Sequence, residues 1–268
     1  MNAKIGFIGC GNMGGALLRA LCRSLRASDV SVFDTSAEKT ASLRKELGVT
    51  VSESASSLAS EVDYLVLGVK PDTLPALLSS LKQTLDQKGS RTVLISMAAG
   101  VSIAGIRKVI GEYPVIRIMP NTPASVGEGM ILYSAVGTED ADISFFLDAF
   151  RCAGRLDALE EKYIDAASAL SGCGPAFVCL FTEALSDGAV ACGLPRDKAA
   201  LYAAQTLLGT ARLILETGEH PGKLKDAVCS PGGTTIEGVR ALEEGALRGT
   251  VMDAVLAAYE KTLALGKK

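Results

Sequence analysis

The chain opens with a short apolar run that passes directly into a glycine-rich loop. The run Lys4–Ile8 has the length and composition of a buried strand, and the loop Gly9–Gly14 reads G-x-G-x-x-G before a helical segment begins. In such a unit the glycines permit a tight turn, close approach of a pyrophosphate and close packing of the helix on the strand. The pattern therefore predicts a dinucleotide-binding βαβ unit. Its candidate cofactor-binding residues are Ile8, Gly9, Gly11, Asn12, Met13 and Gly14.

An acidic residue follows the second predicted strand. Val30–Phe33 ends at Asp34, about 20 residues after the last glycine, where a carboxylate normally accepts hydrogen bonds from an adenosine ribose. A carboxylate at this point favours NADH, because it repels the 2′-phosphate of NADPH. Thr35, Ser36 and Lys39 would still serve a 2′-phosphate if Asp34 turned away. Asp34, Thr35 and Ser36 are therefore candidate cofactor-binding residues, and both coenzymes remain open.

Strands and helices alternate through residues 1–158, which we predict to form one domain. Further apolar strands are predicted at 63–69, 92–97 and 114–119, with helices between them. This rhythm predicts an α/β fold with a doubly wound parallel sheet of the Rossmann type, covered by helices on both faces. Ligands of such sheets bind beyond the carboxyl ends of the strands, so the loops there should meet in one crevice. Those loops supply the candidate cofactor-binding residues Val69, Lys70, Pro71, Ala98, Ala99, Gly100 and Asn121.

The second half of the chain, residues 159–268, changes character. Helical periodicity replaces strands, and the long segment Pro195–Glu216 carries an apolar stripe. Gly172–Pro175 is expected to break or kink the first of these helices. Small residues are frequent, which favours close packing of helices, including helices from different subunits. We therefore predict an all-α second domain.

One loop in this helical half carries a second binding signal. Residues 230–235 read Ser-Pro-Gly-Gly-Thr-Thr, and a helix is predicted to begin at about Thr235. Glycines let a backbone approach a ligand closely, and free N–H groups at a helix start favour an anion such as a carboxylate. The same sequence is also ordinary for a helix cap, with Thr235 as the N-cap. The candidate substrate-binding residues are Ser230, Pro231, Gly232, Gly233, Thr234 and Thr235.

Composition narrows the chemistry. The net charge of −3 gives no reason to expect nucleic-acid binding, and the 7 scattered cysteines indicate a reduced, cytoplasmic protein. We expect no signal peptide and no membrane segment, because no apolar run looks long enough to span a bilayer. The single histidine, His220, excludes a His-rich metal site and is expected to be a bystander. With no metal expected, the chemistry must come from a bound cofactor and from hydroxyl, amide and lysine groups.

The motifs at the two ends of the chain together carry a resemblance to a known family. In the order and spacing of its motifs, the chain resembles pyrroline-5-carboxylate reductases over nearly its full length. The matching segments are Ile5–Gly14, Val69–Pro71, Ala98–Val101, Met119–Pro123, Leu170–Ala176, His220–Asp226 and Cys229–Thr235. As a set, these segments are far more specific than the glycine-rich loop alone.

The resemblance implies NADPH- or NADH-dependent reduction of the cyclic imine 1-pyrroline-5-carboxylate to L-proline, the last step of proline biosynthesis. It implies that backbone amides of residues 230–235 hold the substrate carboxylate and that the Thr235 hydroxyl positions the imine nitrogen. Lys70 would line the nicotinamide end, so Thr235 and Lys70 are the candidate catalytic residues. The resemblance also implies a homodimer whose helical domains interlock, in which the loop of one subunit completes the site of the other. Higher assemblies of dimers are implied as well.

Two departures from the family pattern bear on the coenzyme. Family members usually prefer NADPH, and many follow the second strand with an uncharged or basic segment, where this chain has Asp34. They also often place an asparagine near the ribose, where this chain has Ser54–Ser56. NADPH is therefore expected on family grounds, whereas Asp34 suggests NADH.

Two other classes of protein fit parts of the pattern. One is another small-substrate dehydrogenase or imine reductase with a Rossmann domain and a helical domain. The β-hydroxyacid group of such enzymes would need a catalytic lysine within the first helix of the second domain, but Lys162 lies at its very start. The other class is a non-enzymatic dinucleotide sensor, which would not need a second anion site at residues 230–235.

Overall fold

The protein divides into two compact units in a computed structural model that describes residues 3–266. The first unit runs to Cys173 and includes the C-terminal segment from Ala258, and the second is Gly174–Ala257. Among the described residues, strands occur in the first unit alone.

The first unit is built on one sheet. Its strands are β1 (Ile5–Ile8), β2 (Val30–Phe33), β3 (Thr50–Val51), β4 (Tyr64–Leu67), β5 (Val93–Ser96), β6 (Val115–Met119), β7 (Gly129–Val136) and β8 (Gly154–Ala158). The order in space is β3-β2-β1-β4-β5-β6-β7-β8. Neighbouring strands are parallel except for β6 and β7. The predicted α/β fold with a doubly wound sheet is confirmed, and one pair, β6 and β7, departs from the parallel arrangement.

Strand β7 runs antiparallel to β6 because the connection between them is short. Residues 120–128 contain only a 3₁₀ turn at Thr122–Val126, whereas a parallel crossover needs a dozen or more residues. Met119 pairs with Leu132 in the resulting register. Strand β7 therefore begins at the edge of the sheet where the parallel strands end.

Helices cover both faces of this sheet. They are α1 (Asn12–Leu21), α2 (Ala37–Leu47), α3 (Ala55–Glu61), α4 (Leu74–Gln87), α5 (Ile103–Ile110), α6 (Asp140–Phe150) and α7 (Glu161–Ser171). One core lies under α1, α2 and α6 and includes the fully buried Leu17 and Phe146. The other lies under α3, α4 and α5 and includes Leu78 and Ile106. Because the central strands are covered on both faces, they read as continuous apolar runs.

A buried carboxylate forms hydrogen bonds at the edge of the sheet where the parallel strands begin. Asp142, in the first turn of α6, is 6% exposed and accepts hydrogen bonds from Arg91 Nη1 at 2.6 Å and the Tyr64 hydroxyl at 3.2 Å. It also accepts the backbone N–H of Glu139 at 2.8 Å, which caps its own helix. Burial and the charge of Asp142 raise the pKa of Tyr64 to about 12. The contact ties α6 to the start of β4.

The second unit is helical throughout. Its helices are α8 (Gly174–Ala191), α9 (Arg196–Thr217), α10 (Pro221–Ala227), α11 (Thr234–Glu244) and the first part of α12 (Leu247–Gly266). Large apolar side chains stand open to solvent on these helices, including Leu180 at 69%, Leu215 at 72% and Met252 at 64% exposed. An apolar groove of about 520 Å³ lies between α8 and the start of α12, with Phe177 and Val251 among its walls. Apolar surface of this extent indicates a site of association with another molecule.

One apolar run is longer than the sequence reasoning allowed. The stretch Glu161–Ala191, which comprises α7 and α8, is long and apolar enough by length and composition to cross a membrane. The expectation that no run reaches this length was wrong, because only Gly172 and Cys173 separate the two helices, which together form one long helical stretch. Within α7, however, Ile164 and Ala169 are fully buried in the protein.

Candidate active site

Glycines shape the crevice at the carboxyl ends of β1 and β4. A Cβ placed on Gly68 would lie 2.3 Å from the carbonyl oxygen of Gly9, and one on Gly14 would lie 2.4 Å from the same oxygen. Gly9 itself has a φ of +91°, which other residues rarely adopt. A Cβ on Gly11, by contrast, would meet nothing within 4 Å. The backbone therefore packs tightly beneath an open surface at Gly11, which is the shape a pyrophosphate needs.

The start of α1 adds free donors to this cradle. The helix has Gly11 as its N-cap, and no side chain caps its first N–H groups. Asn12 is exposed, and Met13 is half-buried. Such unsatisfied N–H groups, together with the helix dipole, favour a bound phosphate.

The Asp34 carboxylate is held by two backbone N–H groups. Oδ2 accepts the N–H of Cys10 at 2.8 Å, and Oδ1 accepts the N–H of Ser36 at 2.9 Å. The side chain therefore ties the glycine-rich loop to the loop that follows β2. Each carboxylate oxygen has two acceptor positions, so a further hydrogen bond to a ribose hydroxyl is compatible with this arrangement.

Cys10 fills the first variable position of the glycine motif. It is 6% exposed. Burial and the negative charge of Asp34 raise the pKa of its thiol to about 12, against a smaller opposing effect of Lys39. The thiol is therefore protonated at neutral pH.

The start of α2 is the candidate contact for an adenosine 2′-phosphate. Ser36 is the N-cap, and its hydroxyl accepts the N–H of Lys39 at 3.5 Å. Thr35 and Lys39 are exposed, and Lys39 forms no ion pair within the part of the chain that the structure describes. Donors and a cation thus stand beside Asp34, and the geometry leaves room for either coenzyme.

The loop after β4 turns directly into α4. The Lys70 carbonyl oxygen accepts the N–H groups of Thr73 at 3.0 Å and Leu74 at 3.2 Å. Val69 and Pro71 are half-buried, whereas Lys70 is exposed, and its ammonium contacts no acidic side chain among residues 3–266. This position suits a functional lysine and a solvated one equally, so the role of Lys70 stays a prediction.

The loop after β5 consists of residues with small side chains or none. Ala98 is 2% exposed, Ala99 is exposed, and Gly100 has a φ of +73°. Ser102 then caps α5 by accepting the N–H of Gly105 at 3.0 Å. The loop therefore presents mainly backbone at the same edge as Gly9 and Gly68.

Asn121 is buried, and its side-chain amide is hydrogen-bonded within the protein. Its Nδ2 donates to the carbonyl oxygen of Ser171 at 2.9 Å, and its Oδ1 accepts the N–H of Met130 at 2.9 Å. The residue is 8% exposed. These contacts hold the end of α7 against the start of β7, and the role of Asn121 in binding the cofactor stays a prediction.

Sequence reasoning missed a charged cluster beside this edge. Arg117, within β6, is 3% exposed, and its guanidinium contacts Glu161 at 3.2 Å and Asp165 at 2.6 Å. Glu161 also accepts the N–H of Ile103 at 2.7 Å. The available signal was an arginine inside an apolar strand, since a buried charge requires acidic partners.

In the second unit, α11 begins one residue earlier than predicted. Its N-cap is Gly233, which has no side chain to satisfy the first N–H groups, and Thr235 lies within the helix. The interpretation of Thr235 as the N-cap is therefore wrong. Gly232 has a φ of +66°, which favours glycine, whereas a Cβ on Gly233 would lie 2.4 Å from Ser230 Oγ and would displace that hydroxyl. The turn leaves the first amides of α11 uncapped by any side chain.

The single histidine caps a different helix. His220 is the N-cap of α10, and its Nδ1 accepts the N–H of Gly222 at 3.0 Å. This contact agrees with the expectation of a bystander. Residues 3–266 contain no group of three or more His, Cys, Asp or Glu side chains that could hold a metal ion.

The fold and the glycine cradle together define a class of protein. A doubly wound sheet with this loop at the end of its first strand is a Rossmann-type dinucleotide-binding domain. A helical unit with its own uncapped helix start follows it, as in two-domain oxidoreductases that use a nicotinamide.

Comparisons with known proteins place the chain within that class. Residues 161–265 match the family described as pyrroline-5-carboxylate reductase dimerisation, and residues 4–100 match one described as NADP oxidoreductase, coenzyme F420-dependent. The pyrroline-5-carboxylate reductase of Escherichia coli (strain K12) is 42% identical over 272 residues, which cover 100% of both chains. That of Methanosarcina acetivorans is 40% identical over 271 residues, covering 100% of this chain and 99% of the other. The chain belongs to the pyrroline-5-carboxylate reductase family.

A solved structure agrees with this assignment. The crystal structure of a Plasmodium falciparum pyrroline carboxylate reductase with NADP bound superposes with a TM-score of 0.89. The two chains are 34% identical, and the match covers 99% of this chain and 98% of that one.

Proposed function

We propose that this protein reduces 1-pyrroline-5-carboxylate to L-proline with a reduced nicotinamide dinucleotide, in the last step of proline biosynthesis. The observation that carries the proposal is that two helices begin at a glycine without a side-chain cap, α1 at Gly11 and α11 at Gly233, and both starts suit an anion. Reduction of an imine that bears a carboxylate needs both. Identity of 42% to the Escherichia coli enzyme over the whole chain supports it.

The start of α11 is proposed to hold the substrate carboxylate. Its first N–H groups have no side-chain cap, and the positive end of the helix dipole attracts an anion. Gly232 and Gly233 allow the carboxylate to approach the backbone, because no side chain stands in the way. The contact fixes the substrate by its one charged group and leaves the imine ring free to be oriented.

The Thr235 hydroxyl is proposed to orient the imine nitrogen. It lies in the first turn of α11, next to the proposed carboxylate site, and has no hydrogen bond to any described residue. A threonine hydroxyl is too weak an acid to deliver a proton at neutral pH. Thr235 therefore positions and polarises the C=N bond, and the proton comes from the protonated iminium or from water.

The residues at the crevice edge are proposed to hold the dinucleotide. Gly11 and the start of α1 would contact the pyrophosphate, while Lys70 and the backbone of Ala98–Gly100 would line the nicotinamide end. When bound, the reduced nicotinamide supplies the hydride that adds to the carbon of the C=N bond. NADPH is the family expectation, and Asp34 keeps NADH as the competitor.

The protein is further proposed to be a cytoplasmic homodimer formed through its helical domain, residues 159–268. The exposed apolar side chains of the second unit support this, because they need a partner surface to leave water. In the dimer, the loop of one subunit is proposed to complete the site of the other. Assemblies of several dimers are a further possibility that family resemblance raises.

A β-hydroxyacid-type dehydrogenase is the second candidate, and the position of its expected lysine argues against it. Lys162 is only the second residue of α7, is 61% exposed and pairs with Glu160 at 2.6 Å. Its ammonium is thus solvated rather than held at a reaction centre. A dinucleotide sensor, in turn, would have no use for the uncapped α11 start.

The direct test is oxidation of NADPH or NADH on addition of 1-pyrroline-5-carboxylate, with L-proline identified as the product. Turnover of 1-pyrroline, which lacks the carboxylate, serves as the control, and we expect its kcat/KM to be lower by about tenfold or more. Binding of dinucleotide without any oxidation would instead establish a sensor. Equal turnover of both imines would remove the carboxylate assignment.

A further inference from the structure

A carboxylate at the start of α7 reaches the loop that follows β5. Glu161 Oε1 accepts the backbone N–H of Ile103 at 2.7 Å and a hydrogen bond from Arg117 Nη1 at 3.2 Å. The two bonded residues are 58 positions apart in the chain. One oxygen atom thus joins α7, β6 and the first residue of α5.

Ile103 is the point at which the loop after β5 becomes a helix. The first N–H groups of a helix have no partner within it, and a carboxylate placed there satisfies one of them and meets the positive end of the helix dipole. Ser102 satisfies a second, that of Gly105, at 3.0 Å. The loop Ala98–Ser102 is therefore fixed at its far end by a side chain from a distant helix.

Arg117 gives Glu161 its orientation. The arginine is 3% exposed, and its Nη2 donates to Asp165 at 2.6 Å while its Nη1 donates to Glu161. Glu161 and Asp165 are 28% and 30% exposed at their side chains. Glu161 and Asp165, one helical turn apart, thus both bind the buried Arg117 guanidinium. This pairing limits the positions that the Glu161 carboxylate can take.

We infer that Glu161 is a positioning residue that sets the shape of the loop Ala98–Ser102 for the nicotinamide end of the dinucleotide. The inference rests on the proposed function, since that function assigns this loop to the nicotinamide. Glu161 does not touch the reacting atoms; it acts through the Ile103 N–H. Without the Glu161 carboxylate, the half-buried Ile103 N–H has no hydrogen-bond acceptor. The loop Ala98–Ser102 is then no longer held in one position.

Three variants test whether loss of the Ile103–Glu161 hydrogen bond, rather than loss of stability, weakens dinucleotide binding: Glu161→Ala, Glu161→Gln and Glu161→Asp. Alanine removes the acceptor, glutamine keeps an oxygen for the Ile103 N–H, and aspartate keeps the charge for Arg117 but shortens the reach. We expect NADPH and NADH to bind about tenfold more weakly to the alanine and aspartate variants, the effect of one charge-assisted hydrogen bond. Glutamine should restore most of the affinity, and KM for 1-pyrroline-5-carboxylate should change little.

Two controls exclude general loss of stability. Glu160→Ala removes the neighbouring carboxylate, which among residues 3–266 is paired with the exposed Lys162 alone. Asp142→Asn removes the negative charge that pairs with Arg91 at the opposite edge of the sheet. This variant should have a lower Tm and an unchanged dinucleotide affinity. Dissociation constants from fluorescence titration and Tm are measured for every variant.

Wild-type affinity in a folded Glu161→Ala or Glu161→Asp variant would overturn the inference, as would equal weakening by Asp142→Asn at matched Tm. If the alanine variant does not fold, the aspartate variant decides alone. The proposed function fails separately, because it requires turnover by the wild type, whereas the affinity measurements need none.

Discussion

The Asp34 carboxylate and the Cys10 backbone N–H are joined by a hydrogen bond of 2.8 Å. This contact links the loop that would meet the adenosine ribose with the loop that would meet the pyrophosphate. Because the other oxygen of Asp34 accepts the Ser36 N–H at 2.9 Å, a change at Asp34 alters both the charge near the ribose and the shape of the cradle.

Asp34→Asn should therefore raise the NADPH-to-NADH ratio of kcat/KM by about tenfold, mainly through KM, because it removes the charge that repels a 2′-phosphate. Both absolute values should fall, because asparagine has one acceptor oxygen and its amide nitrogen cannot accept the N–H of either Cys10 or Ser36. Asp29→Asn, before β2, is the matched control. A lower activity with an unchanged ratio would show that Asp34 only supports the loop.

Gly11→Ala should separate dinucleotide binding from folding. Gly11 has an ordinary φ of −66°, and an added Cβ meets nothing within 4 Å, so the free energy of unfolding should change by about 0.5 kcal/mol or less. The methyl group should still obstruct the pyrophosphate and weaken dinucleotide binding by about tenfold or more. Gly68→Ala, which meets the Gly9 carbonyl at 2.3 Å, should instead lower Tm. Calorimetric titration and thermal unfolding of both variants check the contrast, and tight dinucleotide binding by Gly11→Ala would contradict it.

Thr235→Ala should lower kcat/KM by roughly one to three orders of magnitude if the hydroxyl orients the imine nitrogen. Since Gly233 is the N-cap of α11, the substitution removes no cap, and stability should change little. Thr235→Ser keeps the hydroxyl and should recover much of the activity. Steady-state kinetics with Tm as the folding control decide the matter; an alanine variant of normal kcat/KM would exclude the role.

Tyr64→Phe should flatten the fall of stability in alkali. The pKa of Tyr64 is raised to about 12 by burial and Asp142, while an unfolded tyrosine ionises near pH 10. Its contribution is therefore complete below about pH 10 and is lost as the pH rises towards 12. Urea unfolding at about pH 9 and 11 should show a smaller loss in the variant than in the wild type. Tyr113 and Cys10, whose pKa values are also raised to about 12, account for a remaining loss in both proteins. An unaltered pH dependence in the variant would argue against this assignment.

The parts of the fold that sequence predicted are those set by neighbours in the chain. The strand before Gly9 and the helix that follows the glycine-rich loop both follow from local sequence. The order of the loops along one edge also follows, because parallel strands end on the same side.

The missed features depend on contacts between distant residues. Strand β7 was missed because its burial does not alternate along its length: Ile131 and Leu132 are both buried, and the next three residues are all half-buried. The bond from Ile103 to Glu161 joins residues whose proximity no local pattern encodes. The bonds of Asn121 to Met130 and Ser171 likewise join distant residues and could be seen only in three dimensions.

The buried thiol of Cys10 has a consequence for resistance to chemical damage. A helix start or a nearby cation usually lowers the pKa of a cysteine thiol and so favours the thiolate, which is the form that oxidants and alkylating agents attack. Burial and the negative charge of Asp34 instead raise the pKa of the Cys10 thiol to about 12 and keep it protonated at neutral pH. We therefore expect the sulfur beside the glycine-rich loop to react slowly with peroxide and with alkylating agents.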